Sequence, residues 1–184
     1  MSNGHGRPQG EHPAAQPEGS LLTELPKPAA SDRPAKPARK SARRRSRELA
    51  LQGLYEWLLS AGEVQKIAAH MREFDGFGKS DIAHFDRLLA GCVAEAAELD
   101  AVLAHHVDRQ TTHLSPIEHG VLLIGTYELK HCIEIPYRVA INEAVELAKS
   151  FGGTDGHKYV NGVLDKAASE LRPVEVGAAR EARR

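Results

Sequence analysis

The chain has 184 residues, 41% of them hydrophobic, and a formal net charge of −1 at pH 7. This length and apolar fraction suffice for one domain with a real core and are too small for two well-developed domains. The sequence has no run of eighteen apolar residues, and its N-terminus lacks the apolar segment of a secretory signal. Neither membrane insertion nor export is therefore expected, and a cytoplasmic protein is the prediction.

Charge is distributed unevenly along the chain. Residues 1–47 contain ten lysines and arginines and four acidic residues, a local charge of +6, so the remaining residues carry −7. A basic arm on an acidic body indicates a localised contact with nucleic acid or another anion rather than a uniformly adhesive surface.

The first 40 residues differ in composition from the rest. They contain seven of the ten prolines, interleaved with Gly, Ala, Ser and charged residues. Such a segment cannot bury enough apolar surface to offset its conformational entropy. We therefore predict a disordered, Pro-rich basic tail over residues 1–40, a folded domain over 41–173 and a C-terminal tail over 174–184.

Three helices are predicted in the first half of the domain. From Ser46, apolar residues recur at the spacing of a helix that ends near Ala61–Gly62. A weaker pattern of the same period covers residues 63–74. Asp81 is then expected to cap the longest helix, whose apolar face continues to Leu103.

Clear boundary signals mark the second half. Ser115 and Pro116 predict a helix start, because serine accepts a capping hydrogen bond and proline has no N–H to leave unpaired in the first turn. Pro136 interrupts the apolar pattern, and two more helices are predicted over 137–151 and 155–172. No alternating run flanked by hairpin turns is found, so the predicted architecture is an all-α bundle of about six or seven helices.

Four arginines lie where the flexible arm meets the first helix, namely Arg43, Arg44, Arg45 and Arg47. Cations are slightly unfavourable at a helix N-terminus, so the cluster favours an anionic partner, and guanidinium groups match phosphate geometry. The alternative is a solvated basic helix start that binds nothing. Of these two interpretations, the residues favour contact with nucleic acid.

A second candidate site is the stretch FGGTDGHKYVNG at residues 151–162. The free N–H groups of a helix start and Lys158 could bind phosphate, and Tyr159 could stack on a base. Asp155 or Asn161 could hydrogen-bond to base edges. The equally weighted alternative is a helix–helix turn with Asp155 as cap and Tyr159 in the core. No strand precedes the glycines and no Gly-Lys-Ser/Thr follows, which argues against a nucleotide-binding loop.

The residues give no support for catalysis, a cofactor or a metal site. The ten histidines lack the spacing of metal ligands paired with a catalytic acid, and neither Cys92 nor Cys132 has a second cysteine nearby. Both cysteines lie within apolar helical patterns and are predicted to be buried and reduced. We expect a protein that is not an enzyme.

Apolar residues surround most of the first helix, including Tyr55, Trp57 and Leu59, and most of the helix after Pro116. Some of them could contact a protein partner or a second copy in a homodimer. The alternative, which the pattern favours, is that they form the core.

Three stretches resemble a known family. They are RRRSRELALQGLY at residues 43–55, VAINEAVELAKSFG at 139–152 and KYVNGVLD at 158–165. In this order, from about Ala42 to Pro173, the chain resembles the bacterial NusB family of transcription antitermination factors. The two C-terminal stretches are highly specific, and residues 1–40 lie outside the resemblance.

The resemblance implies an all-helical fold with two small subdomains and a function in transcription. NusB proteins bind the single-stranded boxA element of nascent RNA together with NusE, a ribosomal protein that doubles as a Nus factor. The complex then loads onto RNA polymerase with other Nus factors and suppresses termination, notably in ribosomal RNA operons.

The resemblance also implies which residues bind. The family's RNA-binding positions match two groups, Arg43, Arg44, Arg45 and Arg47 in the arm and Asp155, Lys158 and Tyr159 in a second patch. The positions that match its NusE-facing side are Tyr55, Leu59 and Glu118. The family often has Phe in place of Tyr159, which preserves stacking. The Pro-rich extension and Gly153–Thr154 depart from the family pattern.

Two other functions fit parts of the sequence. The same helical module occurs at the N-terminus of a ribosomal RNA cytosine methyltransferase, but here no glycine fingerprint or room for a methyl-donor domain follows it. A helical DNA-binding module with a basic arm is the second alternative, and competition between duplex and single strands would distinguish it from an RNA-binding protein.

Overall fold

The computed structural model describes residues 41–182, which form eight α-helices and two short 3-10 turns and contain no strand. The helices are α1 (Ala42–Ser60), α2 (Val64–Arg72), α3 (Ile82–Ala94), α4 (Ala96–Ala104), α5 (Pro116–His131), α6 (Tyr137–Phe151), α7 (Gly156–Leu171) and α8 (Pro173–Glu181). The all-α prediction is confirmed. The predicted disorder of residues 1–40 lies outside the described residues.

Helix α1 begins four residues earlier than the apolar pattern predicted. Ser41 is its N-cap, and the Ser41 hydroxyl accepts a hydrogen bond of 3.1 Å from the Arg44 backbone N–H. A capped first turn needs no apolar residue, which is why periodicity missed it. The arginine cluster therefore belongs to an ordered helix rather than to a flexible arm.

The helix predicted from Asp81 to Leu103 is divided in two at Glu95. Its backbone leaves the helical region there, with φ −107° and ψ 15°, and α4 starts at the next residue. The Glu95 carboxylate lies 2.7 Å from both Lys130 Nζ and His131 Nε2 of α5, contacts that hold the bend against that helix. The apolar pattern continues through this bend, so the sequence predicted a single helix.

The segment after residue 173, predicted as a tail, forms α8. Pro173 occupies the first helical position, where its missing N–H costs nothing. Val176 is buried, and the Glu175 carboxylate accepts a hydrogen bond of 2.9 Å from the Tyr137 backbone N–H at the start of α6. These contacts fix the position of α8, a short helix that the sequence pattern does not predict.

Helix α5 lies at the centre of the fold. Every residue from His119 to Leu129 is buried, and α5 packs against α1, α3, α4, α6 and α7. The other main contacts join α1 to α2 and α3, and α6 to α7, and all of them share one hydrophobic core. Cys92 and Cys132 are both buried and unpaired, as predicted. In the described part of the chain no helix is long and apolar enough to span a membrane.

A buried ion pair connects α1 to α5. The Arg47 Nε atom donates to both carboxylate oxygens of Glu128, at 2.9 and 3.1 Å, and Nη2 lies 2.9 Å from Oε1. The two side chains are only 4% and 1% exposed. His84 Nε2 of α3 lies 3.1 Å from the same carboxylate, and Glu143 of α6 lies 3.4 Å from Arg47 Nη1. One charged cluster therefore connects four helices.

A second buried arginine closes the C-terminal end of α5. The Arg172 guanidinium donates to the backbone carbonyls of Glu128, Leu129, Cys132 and Ile135 at 2.7–2.9 Å. The last carbonyls of a helix have no partner within it and carry a partial negative charge. Arg172 satisfies these groups from the end of α7 and so attaches α7 to α5.

Replacing Arg47 with Ala is expected to lower the free energy of unfolding by about 3–5 kcal/mol, because Glu128 would remain buried without its partner. Urea denaturation followed by circular dichroism measures this change. Arg43→Ala is the matched control, since the half-exposed Arg43 pair should contribute only about 0–1 kcal/mol. Equal, small losses for both variants would contradict a structural role for Arg47.

Candidate nucleic-acid interface

Three arginines of the first turn of α1 reach the surface, and two of them face carboxylates. Arg43 Nε lies 3.5 Å from Asp81 Oδ2, and the Arg43 side chain is 48% exposed. Arg44 lies between Glu146 and Glu48, at 3.5 and 3.8 Å. The cations that the sequence left without partners are therefore partly neutralised within the protein.

Arg45 forms one side of a surface groove. Its Nη1 donates to the Gly76 carbonyl at 3.3 Å, in a turn where Gly76 has a φ of 82° that favours glycine. The groove is also lined by Gln52 of α1, Phe74 and Phe151. Two aromatic rings, an amide and a guanidinium thus line one solvent-facing groove, together with the carboxylates of Glu48 and Asp75.

Arg47 does not belong to this surface. Its side chain is 4% exposed and its guanidinium is occupied by Glu128 and Glu143. A phosphate in solvent cannot reach it, so the prediction that Arg47 contacts RNA is corrected. Helical geometry places residue 47 on the same side as 43 and 44, but one turn further along, where α5 and α6 cover it.

The position of the arginine turn depends on Asp81. Its carboxylate caps α3 by accepting from the His84 N–H at 3.0 Å, and its N–H donates to the Ala42 carbonyl at 3.2 Å. The Ser46 hydroxyl donates to the Asp81 carbonyl at 2.8 Å. The hydrogen bond from the His84 N–H is the main reason that the pKa of Asp81 is lowered, with Arg43 contributing less. The start of α1 is thereby attached to the start of α3.

Helix α6 connects the arginine turn to the second candidate patch. Glu143 and Glu146 contact Arg47 and Arg44, and Phe151 at the end of α6 lines the groove beside Arg45. Residues 152–155 then lead directly into α7. The arginine turn thus contacts the middle and the C-terminal end of α6, and the second stretch begins at Phe151, the last residue of that helix.

The start of α7 is exposed and polar. Asp155 occupies the N-cap position, but its side chain accepts no capping hydrogen bond. The alternative prediction that the Asp155 side chain caps this helix is therefore wrong. Its carboxylate instead lies 2.9 Å from Lys158 Nζ, with both side chains more than 70% exposed. An exposed pair of this kind contributes little to stability, and its groups are accessible to a ligand.

Tyr159 is held by two residues that the sequence analysis missed. Its hydroxyl donates to Asp108 Oδ1 at 3.1 Å, and the Arg109 guanidinium lies 5.6 Å from its ring centroid. Arg109 also donates to Asp108 at 2.8 and 3.0 Å. Hydrogen bonds from Arg109, aided by the Tyr159 hydroxyl, hold the pKa of Asp108 at about 2, below its usual 3.8. The Tyr159 ring is partly buried and packs against the core, so it is neither a fully exposed stacking surface nor a core residue.

Glu118 lies beside this patch. It lines one groove with Arg109, Asp155 and Tyr159, and a Cβ atom at Gly156 would lie 3.1 Å from its Oε1. Its backbone N–H donates to the Ser115 hydroxyl, as the predicted helix start requires. A carboxylate at the N-terminus of α7 is also favoured by the helix dipole. Glu118, predicted to face NusE, therefore lies next to three residues of the second predicted RNA patch or its surroundings.

The remaining predicted residues lie elsewhere. Asn161 is two residues beyond Tyr159, about 200° around the helix, and donates to Asp165 at 3.1 Å on the exposed face of α7. Tyr55 and Leu59 are one turn apart on α1, and the Leu59 side chain is 53% exposed. Asn161 thus does not line the groove with Tyr159, and Leu59 presents apolar surface to solvent.

Sequence reasoning missed Asp108 and Arg109 because they lie in a polar loop about 50 residues before Tyr159. The adjacent Asp-Arg pair was visible, but its place beside α7 depends on tertiary packing. The same holds for His105 and His106, which meet Glu170 of α7 in the one arrangement within residues 41–182 that could hold a metal ion.

The fold and this surface define an all-helical protein that carries arginines and aromatic rings in two surface grooves. Comparison with known proteins places the chain more narrowly. Residues 44–169 match the sequence profile of the NusB family. The chain belongs to the NusB family, whose members are non-enzymatic transcription antitermination proteins.

Relatives and solved structures agree with this assignment. The transcription antitermination protein NusB of Cupriavidus pinatubonensis is 56% identical over 162 residues, covering 85% of this chain and 97% of that protein. The structure of T. maritima NusB has a TM-score of 0.64 at 26% identity, covering 73% and 96% of the two chains. A structure of the antitermination factors NusB and NusE in complex with dsRNA has a TM-score of 0.65 at 22% identity, covering 70% and 97%.

Removing Arg109 is expected to raise the pKa of Asp108 from about 2 toward its usual 3.8, because the Arg109 hydrogen bonds are the largest cause of the depression. Tyr159→Phe should raise it by less. In the unchanged protein the carboxylate keeps these contacts at neutral pH and loses them only as the pH falls through about 2. Carboxyl-carbon NMR titration measures the pKa, and an ordinary value before any substitution would contradict the geometry.

Proposed function

We propose that this protein binds the single-stranded boxA RNA of nascent transcripts through one composite surface, together with NusE. The bound complex then acts on RNA polymerase with other Nus factors, notably in ribosomal RNA operons, in the cytoplasm. The observation that carries the proposal is the connection, through α6, between the arginine turn of α1 and the start of α7.

Electrostatics supports a phosphate ligand at the arginine turn. Arg44, whose side chain is 28% exposed, lies between Glu146 and Glu48 at 3.5 and 3.8 Å, and the more exposed Arg43 pairs with Asp81 at 3.5 Å. Exposed pairs of this kind are worth about 0–1 kcal/mol, so a phosphate can take over a guanidinium without a large loss. Arg43, Arg44 and Arg45 therefore supply most of the binding free energy and little base selectivity.

The start of α7 supplies the groups that distinguish bases. Tyr159 offers a ring on which a base can stack in exchange for, or in addition to, the Arg109 guanidinium. Asp155 and Lys158 are exposed hydrogen-bonding groups beside it, and Asn161 lies one turn from Lys158. Phe74 and Phe151 in the neighbouring groove extend the aromatic surface toward Arg45.

The partner surface proposed for NusE centres on α1. Tyr55 and Leu59 lie on one helical face, and Leu59 is among the few large apolar side chains left exposed. Glu118 lies in the groove with Asp155 and Tyr159, so NusE contact there would reach the edge of the RNA surface. In this arrangement protein and RNA bind side by side, which lets each increase the affinity of the other.

Structural likeness lends support from a relative. A structure of NusB and NusE in complex with dsRNA has the same fold as this chain. Because that complex contains duplex RNA, the proposal for single strands needs a direct comparison of the two. Measuring binding to a duplex as well as to single strands also tests the alternative that the protein is a DNA-binding module.

The triple variant Arg43→Ala, Arg44→Ala and Arg45→Ala is expected to weaken boxA binding and reduce its salt dependence. Four phosphate contacts, from these arginines and Lys158, predict a log–log salt slope of about −2.8, and one remaining contact predicts about −0.7. Fluorescence anisotropy with single-stranded boxA, a scrambled strand and a duplex, each with and without NusE, measures both quantities.

The matched control removes three other exposed cations, Lys66, Lys166 and Arg180, from α2, α7 and α8. This control has the same net charge change and should keep the slope of the unchanged protein. Equal slopes for the two triple variants would contradict the proposed surface. Preference for boxA over the scrambled strand should be greatest when NusE is present.

Leu59→Asp is expected to weaken NusE binding about 10- to 100-fold, since burying a leucine side chain contributes about 1.5–3 kcal/mol. Isothermal titration calorimetry measures the affinity. Val174→Asp on α8, where the valine is 84% exposed, is the control and should leave NusE affinity unchanged. An unaltered dissociation constant for Leu59→Asp would show that NusE binds elsewhere.

A further inference from the structure

Two adjacent histidines and a glutamate converge at a point that the RNA and partner surfaces do not use. His105 caps the C-terminal end of α4 and His106 follows it, while Glu170 belongs to the last turn of α7. Glu170 Oε2 lies 2.7 Å from His106 Nε2 and 3.4 Å from His105 Nδ1. All three ligand atoms lie within 4.8 Å of one another.

We propose that His105, His106 and Glu170 form a binding site for a divalent transition-metal ion, with Zn²⁺ as the best match. Imidazole nitrogen and carboxylate oxygen are the ligands that Zn²⁺ takes at about 2.0–2.2 Å. Tetrahedral geometry with such bonds separates neighbouring ligand atoms by about 3.3 Å. The observed separations of 2.7 and 3.4 Å are close to that value, so a bound ion requires only small side-chain movements.

The orientation of the rings also suits a shared ion. The two imidazole planes lie at 87° to each other, with centroids 6.0 Å apart, so their nitrogen lone pairs approach the carboxylate from different directions. A simple hydrogen bond needs only one of these rings. Here both rings approach the same oxygen, Glu170 Oε2, and a cation between the three groups would contact both imidazoles and the carboxylate.

Other histidine–carboxylate pairs of the protein differ in ways that disfavour a metal. His119 meets Asp100 without a second imidazole, and Glu95 is shared by His131 and the Lys130 ammonium, which repels a cation. Among residues 41–182, Glu170 makes no ion pair with a lysine or arginine. Within the described residues, Glu170 thus combines two imidazole neighbours with the absence of an ammonium or guanidinium partner.

The protein supplies three ligands, and water would complete the coordination. The His106 side chain is 15% exposed, Glu170 39% and His105 65%, so an ion can enter from solvent. A bound ion would connect the end of α4 to the end of α7. Residues 105–109 would then be held at both ends, by the metal and by the contact between Asp108 and Tyr159.

Calorimetric titration of the full chain with Zn²⁺ tests the site. The unchanged protein is expected to bind one ion that is lost or weakened at least tenfold in His106→Ala and in Glu170→Gln. Removing groups that merely orient a metal ligand already costs about 10- to 100-fold in affinity. Affinity should fall as the pH is lowered, because the histidines must be neutral to bind.

His113→Ala is the matched control, since His113 is an exposed histidine in a neighbouring turn and should keep full affinity. Saturating Zn²⁺ should also raise the melting temperature of the unchanged protein and of His113→Ala, but not of His106→Ala. Absence of saturable binding in the unchanged protein, or equal binding by all four proteins, would overturn the proposal. Circular dichroism before each titration establishes that the variants are folded.

Discussion

The structure depends on the buried ion pair between Arg47 and Glu128. Two charged side chains in a protein interior are costly unless their hydrogen bonds are satisfied, and here Nε alone donates to both carboxylate oxygens. His84 and Glu143 extend the cluster into α3 and α6. Because the geometry must be met by four helices at once, the cluster sets how α1 lies on α5 and α6. Arg43, Arg44 and Arg45, in the turn before Arg47, remain at the surface.

This constraint explains how one helix can serve both the core and a ligand. In its first turn α1 presents guanidinium groups to solvent, and one turn further along it buries the guanidinium of Arg47. Arg172 is a second buried arginine with a structural role, because it donates to the carbonyls at the end of α5 and so attaches α7 to α5. With α6 and α7 attached to α5, Tyr159 and the loop at residues 152–155 keep a constant relation to the arginine turn. A rigid frame of this kind suits the proposed binding of RNA and a protein partner side by side.

Much of the fold could be predicted from local patterns. Apolar periodicity and the Ser115–Pro116 start signal give most helices, and the family resemblance rests on contiguous stretches that need no tertiary information. The misses at Arg47 and Glu95 share one physical cause, which is that each residue's role depended on a partner far along the chain. Arg47 looks like its neighbours until Glu128, 81 residues later, is placed beside it. The bend at Glu95 depends on Lys130 and His131 in the same way.

The central claim is that the first turn of α1 and the start of α7 bind one RNA strand together. Amide chemical-shift mapping of the isotope-labelled protein, titrated with single-stranded boxA RNA, tests it directly. The account predicts that residues 43–45, 108–109 and 153–159 shift along one common binding curve, while Arg47 and Glu128 change little. Shifts confined to only one of the two patches, or two patches that saturate at different RNA concentrations, would contradict it.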